Sequence, residues 1–169
     1  MRSMTKEFLS TAFAGESQAH VKYMIFSEDC AKKGLKNLAN LFKAISHAEF
    51  VHAKCHFIAL KKLGETTENV KNALDGETYE IEEMYPVYNE TAKFQKETDA
   101  VRTTFYALEA EKIHATMYQK ALELANSKKD YPASKIQICE LCGHTVENEA
   151  PDKCPVCGAK KDFYRAFSA

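Results

Sequence analysis

The chain has 169 residues, 45% of them hydrophobic, and a formal net charge of -1. That size allows one substantial core with a small appendage, and the balanced charge excludes a general pull toward nucleic acid or an anionic membrane. No apolar run reaches bilayer length and residues 1–6 lack the apolar stretch of a signal peptide, so a cytoplasmic protein is expected.

Before residue 130 glycine and proline are scarce and apolar residues recur at helical spacing. The pattern predicts a first helix over 5–32, closed by Gly34, with Leu9, Ala12, Phe13, Glu16, Ala19, Tyr23, Phe26 and Cys30 on one stripe. A second helix is expected over 35–63, closed by Gly64, and the short gap between the two makes them antiparallel neighbours. A polar connection follows at 64–69, then a short helical piece broken near Asp75-Gly76. The third long helix is expected over 77–95. Its inward stripe would be Glu77, Glu80, Met84, Val87, Thr91 and Phe94, with a kink at Pro86. Thr98 is the expected N-cap of a fourth helix reaching Asn126. Residues 126–135 read as a linker, so the division expected is 1–130 for an all-α four-helix bundle and 131–169 for a small metal domain.

The bundle's expected interior carries acids. Glu49-Phe50-Val51-His52 lies in a stripe otherwise made of Leu38, Phe42, Ile45, Leu60 and Leu63, and Glu111-Lys112-Ile113-His114 lies in a second stripe with Val101, Phe105, Leu108, Tyr118 and Leu122. A spacing of three puts each Glu and its His on one helix face. Burying a carboxylate and an imidazole among leucines is costly unless something compensates, and a cation compensates. Glu16 on the first helix and Glu77 and Glu80 on the third complete an inward set on all four helices. Two Glu-x-x-His pairs with acids from the other two helices form the pattern of di-iron and di-manganese carboxylate bundles, here with one carboxylate to spare. His20, His47 and His56 read instead as surface or satisfied core histidines, and Cys30 and Cys55 as small core residues.

The tail has a different composition. Cys139-x-x-Cys142-Gly143 and Cys154-Pro155-x-Cys157-Gly158 are separated by eleven residues between Cys142 and Cys154. Two such knuckles hold one tetrahedral ion with four thiolates, and both zinc and iron accept that geometry. From Lys135 onward five basic residues balance five acids, which disfavours a nucleic-acid-binding zinc ribbon and adds weight to an electron-transfer iron.

These stretches together resemble the rubrerythrins: Phe13-Ala-Gly-Glu16-Ser-Gln-Ala19, His47-Ala-Glu49-Phe-Val-His52, Gly76-Glu77-Thr-Tyr-Glu80, Met84-Tyr85-Pro86, Glu111-Lys-Ile-His114 and both knuckles, with Pro151, Lys161 and Phe163 also fitting. The resemblance implies a ferritin-like di-iron bundle fused to a rubredoxin-like Fe(Cys)4 domain, and a peroxidase that reduces hydrogen peroxide to water. It implies that Glu49 and Glu111 bridge the irons, that Glu16 and Glu77 are terminal carboxylates, and that His114 is the nitrogen ligand of one iron. It implies that Glu80 and His52 exchange at the other iron with redox state, and that Tyr23 and Tyr85 place hydroxyls near the carboxylates. Electrons would come from an external NAD(P)H-dependent reductase or a rubredoxin, since the chain has no Gly-rich dinucleotide fingerprint.

The fourth helix carries the chain about 16 Å past His114 before the linker begins. The tail must therefore fold back or dock on a neighbour, and the resemblance favours a homodimer with inter-subunit electron transfer. Two other readings stand beside this one. A ferroxidase that handles iron would differ in particle size, and a zinc-ribbon adaptor without enzymatic activity would be colourless.

Overall fold

The structure is a computed structural model and describes residues 1–168. The chain divides into two compact units, Met1–Gly64 and a second beginning at Glu65.

The first unit is a helical hairpin of α1 (Ser3–Lys32) and α2 (Lys36–Ala59). Gly34, at φ +78°, makes the turn: its amide bonds the Ala31 carbonyl and the Leu35 amide bonds the Cys30 carbonyl, so a left-handed residue satisfies carbonyls that the helix end leaves open. Small residues set the spacing of the two helices. Ala39, Ser46 and Ala53 recur every seven residues and are all buried, the repeat that keeps one seam of a helix facing its neighbour. Ser46 is fully buried and donates to the His20 carbonyl, while His20 Nδ1 lies 2.9 Å from both the carbonyl and the hydroxyl of Ser46. His20 is thus a satisfied core histidine, as its position suggested. The second helix is shorter than its apolar pattern. Lys61 turns left-handed at φ 56° and ends it after Ala59, four residues short of the expected Leu63.

The second unit opens with α3 (Thr66–Tyr79), which has a capping box between Glu65 and Glu68. This helix runs through Asp75-Gly76 without a break, where an interruption was expected. A π-helical turn over Glu80–Met84 joins it to α4 (Tyr85–Gln95), and Pro86 stands in the first turn of that helix. The wider turn answers the amide that proline lacks. It also adds one residue to the turn and shifts the helix face. Beyond Met84 the side packed on the neighbouring helix is therefore Asn89 and Ala92, both buried, while Val87 and Phe94 are exposed. That corrects the unbroken stripe through Val87, Thr91 and Phe94. Lys96, left-handed at φ 62°, turns the chain into α5 (Thr98–Asn126), whose N-cap is Glu97 rather than Thr98. Asn89 clamps the pair by donating to the Val101 carbonyl and the Thr104 hydroxyl at 2.9 and 2.8 Å.

After α5, residues 127–134 form neither helix nor strand. A three-stranded antiparallel sheet follows, with β1 (Lys135–Cys139) in the centre, β2 (Thr145–Glu147) on one side and β3 (Tyr164–Ser168) on the other. Ile138 pairs with Thr145 and with Arg165, which fixes the register. Among the described residues no helix is long and apolar enough to cross a membrane.

Candidate metal centres

The four cysteines of the tail converge. Their sulfurs lie within 4.8 Å of one another, with Cys139 and Cys157 at 3.7 Å and Cys142 and Cys154 at 3.5 Å. An ion about 2.3 Å from each of four thiolates sets the sulfurs about 3.8 Å apart, so the cluster fits one tetrahedral cation and is far too open for disulfides. Gly143 and Gly158, at φ +81° and +75°, take the left-handed step that ends each knuckle. Backbone amides are aimed at the sulfurs. Burial pushes the Cys142 thiol above its ordinary range. At Cys154 burial also pushes upward, but hydrogen bonds from Tyr164 and from the Cys157 and Val156 amides outweigh it and hold the thiol down at about 6. His144 Nδ1 lies 2.8 Å from the Tyr164 hydroxyl, and burial lowers the His144 pKa.

The helical acids form two separate triads. In the first unit Glu16, Glu49 and His52 present ligand atoms within 4.8 Å of one another. His52 Nδ1 is 3.1 Å from Glu49 and 4.0 Å from Glu16. In the second unit Glu77, Glu111 and His114 do the same, and His114 Nδ1 lies 2.6 Å from Glu111. Glu80 is outside this triad but feels the charges of Glu111 and His114, and burial is the first cause of its raised pKa. Glu77 is pushed up to about 8, first by burial and then by its hydrogen bond to Glu111 and the charges of Glu111 and Glu80. Carboxylates crowded in this way repel one another, and either a proton or a cation relieves them. That donor chemistry, carboxylates with one imidazole, fits a hard or borderline divalent cation.

Of the two tyrosines, Tyr85 lies in the field of Glu80, Glu111 and Glu77; burial first, and then those charges, raises its pKa. Tyr23 packs beside the Phe26 and Phe42 rings, with centroids at 6.3 and 6.2 Å, and those two rings lie 5.5 Å from each other.

The tail does not dangle from the end of α5. It folds back along that helix, one of the two arrangements the sequence allowed. Tyr106 packs against the cysteine cluster, Gly143 faces Ala110, and Thr145 Oγ1 lies 2.7 Å from His114 Nε2. Glu147 accepts from Lys120 at 3.0 and 3.1 Å and from the Tyr131 hydroxyl. Burial and the bond to Glu147 push Tyr131 up to about 12. Sequence reading missed Thr145, Lys120 and Glu147. The only trace in the sequence is the alternation of Gly143, Thr145 and Glu147 on one side of a short strand, which has meaning only once the partner helix is known.

Comparison with known proteins agrees with these donor sets. Residues 7–122 match the family profile described as rubrerythrin, and residues 137–165 match that of the rubrerythrin rubredoxin-like domain. The chain is 44% identical to Rubrerythrin-2 of Clostridium acetobutylicum, covering 98% of this chain and 97% of that protein. It is 29% identical to nigerythrin of Nitratidesulfovibrio vulgaris, over 96% of this chain and 86% of the relative. Among solved structures, partially reduced nigerythrin superposes with a TM-score of 0.56 at 29% identity, over 96% of this chain and 86% of the other. A structure of nigerythrin described as fully reduced and all ferrous gives the same score, identity and coverage.

Proposed function

The chain belongs to the rubrerythrin family of di-iron oxidoreductases, and from that premise we propose that it is a non-haem peroxidase that reduces hydrogen peroxide to water. Its fold class is the ferritin-like helical bundle with a rubredoxin-like domain, and its cofactors are a di-iron centre and one iron held by four cysteines. The domain division proposed is 1–130 and 131–169, and the compartment proposed is the cytoplasm.

In this reading Glu16, Glu49 and His52 serve with Glu77, Glu80, Glu111 and His114 as the di-iron ligands. Glu49 and Glu111 would be shared by the two ions, Glu16 and Glu77 would each hold one, and His52 and Glu80 would alternate. Cys139, Cys142, Cys154 and Cys157 hold the third iron. When bound, the iron pair supplies two electrons, and with two protons these convert one peroxide to two waters. The chain's own part is to hold the ions and deliver the protons. Tyr85, whose pKa is raised, stays protonated and is the proposed proton donor, while Glu77, held up to about 8 in the metal-free chain, gives up its proton when its carboxylate takes an ion. Tyr23 is proposed to assist from the first helix.

The observation that carries the reading is the contact between the four-thiol module and His114. It gives a redox iron a reason to sit beside a carboxylate–imidazole site, which neither iron storage nor a structural zinc knuckle requires. The proposed partners are an external NAD(P)H-dependent reductase or a rubredoxin, and a second copy of the chain as a homodimer. The proposed path to His114 runs within one chain, and subunit mixing distinguishes it from the inter-subunit transfer first expected. The test is peroxide consumption by iron-loaded protein with NADH and a reductase. The expected result is one NADH oxidised per peroxide with no oxygen released. Oxygen release, or no turnover with all iron sites filled, would contradict it.

A further inference from the structure

We propose that Thr145 is a positioning residue: its hydroxyl fixes the tautomer of His114 and links the four-cysteine site to the di-iron site by hydrogen bonds within one chain. The proposal rests on the di-iron reading above and concerns a residue outside both ligand sets.

The argument is a count of hydrogens. A threonine hydroxyl has one proton to donate. Thr145 Oγ1 lies 3.0 Å from the Gly143 carbonyl oxygen, which can only accept, so the proton goes there. The same oxygen lies 2.7 Å from His114 Nε2 and must therefore accept from it. Nε2 thus carries a hydrogen. Nδ1 faces Glu111 at 2.6 Å, so in the metal-free chain a proton lies between them; an ion taking both groups displaces it and leaves His114 as the Nε2–H form with Nδ1 toward the metal. An outer partner that fixes the ligand's tautomer and ring orientation is a recurrent feature of histidine metal sites. Thr145 is 5% exposed, so water competes poorly for either bond.

The placement is built by the fold. Gly143, Thr145 and Glu147 project from one side of the strand and its approach and meet Ala110, His114 and Lys120 of α5. Two strand residues advance about 6.8 Å and four helix residues about 6.0 Å, so the first two contacts stay in step. Ala110, 3% exposed, is small enough to let the Gly143 turn approach: a Cβ on Gly143 would come within 3.6 Å of the Ala110 Cβ. Because Gly143 follows Cys142 directly, the bonded path from the Cys142 sulfur to His114 crosses only two hydrogen bonds. With iron in both sites, an electron using it would leave the tail iron ferric and one ion of the pair ferrous. Both bridging protons stay where they are. The plainer reading, a strand threonine bonded to its own turn, explains the bond to Gly143 but not the one to His114.

The test uses iron-loaded, fully oxidised protein and no peroxide, so its outcome is independent of whether the protein is a peroxidase. A photoreduced flavin puts one electron on the tail iron, and the return of its visible band reports transfer to the di-iron site. Thr145→Val should slow that return by about tenfold or more, with iron content and tail spectrum unchanged. Thr145→Ser should stay within about twofold of wild type, since the hydroxyl is kept. In zinc-loaded protein, 15N shifts of His114 should report the Nε2–H form in wild type and Thr145→Ser and a mixture in Thr145→Val. Lys120→Met, which loosens the module without touching the hydroxyl, separates docking from positioning and should slow transfer less than Thr145→Val. The proposal is overturned if Thr145→Val transfers at the wild-type rate, if Thr145→Ser is as slow as Thr145→Val, if Lys120→Met is as slow as Thr145→Val, or if wild type shows no transfer. Should Thr145→Val not fold, Thr145→Ala takes its place under the same outcomes.

Discussion

His52 and His114 occupy the same place in the same four-residue motif, yet their surroundings differ. The His114 side chain is 28% exposed and gripped at both nitrogens, by Glu111 at 2.6 Å and Thr145 at 2.7 Å. The His52 side chain is 56% exposed and lies 3.1 Å from Glu49 by Nδ1; among the described residues none holds its Nε2. The carboxylates differ as well, since Glu77 beside Glu111 is pushed up to about 8. A motif specifies which donors share a helix face; the neighbouring elements specify how firmly each is held. An imidazole locked at its far nitrogen suits a permanent ligand. One held at a single nitrogen is free to exchange, and in the proposed scheme His52 is the residue that trades places with Glu80.

The largest effects should come from the carboxylates proposed to be shared. Glu49→Ala and Glu111→Ala should each abolish peroxide turnover while the tail keeps its visible spectrum, because the cysteines lie in a separate module. The histidines should then divide the two triads. His114→Ala should weaken metal binding by at least about tenfold more than His52→Ala, measured by competition with a chelator. Equal losses would erase the distinction between a locked and an exchanging ligand.

The tail comes next. Cys154→Ser should weaken or empty the four-thiol site and slow re-reduction, while the first turnover of pre-reduced protein survives in stopped flow. Mixing sharpens this. When Glu111→Ala and Cys154→Ser subunits are exchanged, the in-chain contact between Thr145 and His114 predicts activity no higher than that of the separate variants. Restored activity would return the electron path to a partner subunit.

A smaller effect is a proton count. Glu77, held up to about 8, is protonated in the folded chain at pH 7 and ionised at pH 9, and a cation taking its carboxylate must displace the proton in the first case only. With the tail site already filled, metal uptake should release about one more proton at pH 7 than at pH 9. The same shift makes chelated protein lose stability as pH rises from the ordinary value of 4.5 to about 8, because the folded state there binds more protons than the unfolded one. Stability rising through that window would contradict the crowding of Glu77. The smallest effect is at the latch. Lys120 and Glu147 are partly exposed, so Lys120→Met should cost no more than about 1 kcal/mol of stability, read by denaturant unfolding.

Much of this was legible in the residues. The Glu-x-x-His pairs and each half of the four-thiol site follow from spacing, because three residues on a helix and two in a knuckle bring donors together whatever the rest of the fold does; Glu16 and Glu77 join their pairs only through the packing of neighbouring helices. Gly34 marked the first turn for a similarly local reason. What escaped was set by events at single residues or by distant partners. Lys61 took a left-handed conformation that sequence would assign to Gly64. Pro86 was accommodated by a π turn instead of a kink, and the added residue moved Val87 and Phe94 off the packed face. Gly76 was tolerated inside α3 because packing along the helix outweighs its propensity cost of about 1 kcal/mol. The Thr145 contact spans 31 residues of sequence, and no local pattern carries that information.

The most direct test of the whole account is a single rapid mixing. Fully reduced, iron-loaded protein is mixed with hydrogen peroxide while the visible band of the ferric four-cysteine iron is followed. The band should return in wild type, since electrons drawn through the di-iron site come from the tail. It should fail to return on that timescale in Glu49→Ala, whose tail is intact. A band that returns equally fast in Glu49→Ala would mean that peroxide oxidises the tail directly and that the helical acids play no part in the reaction.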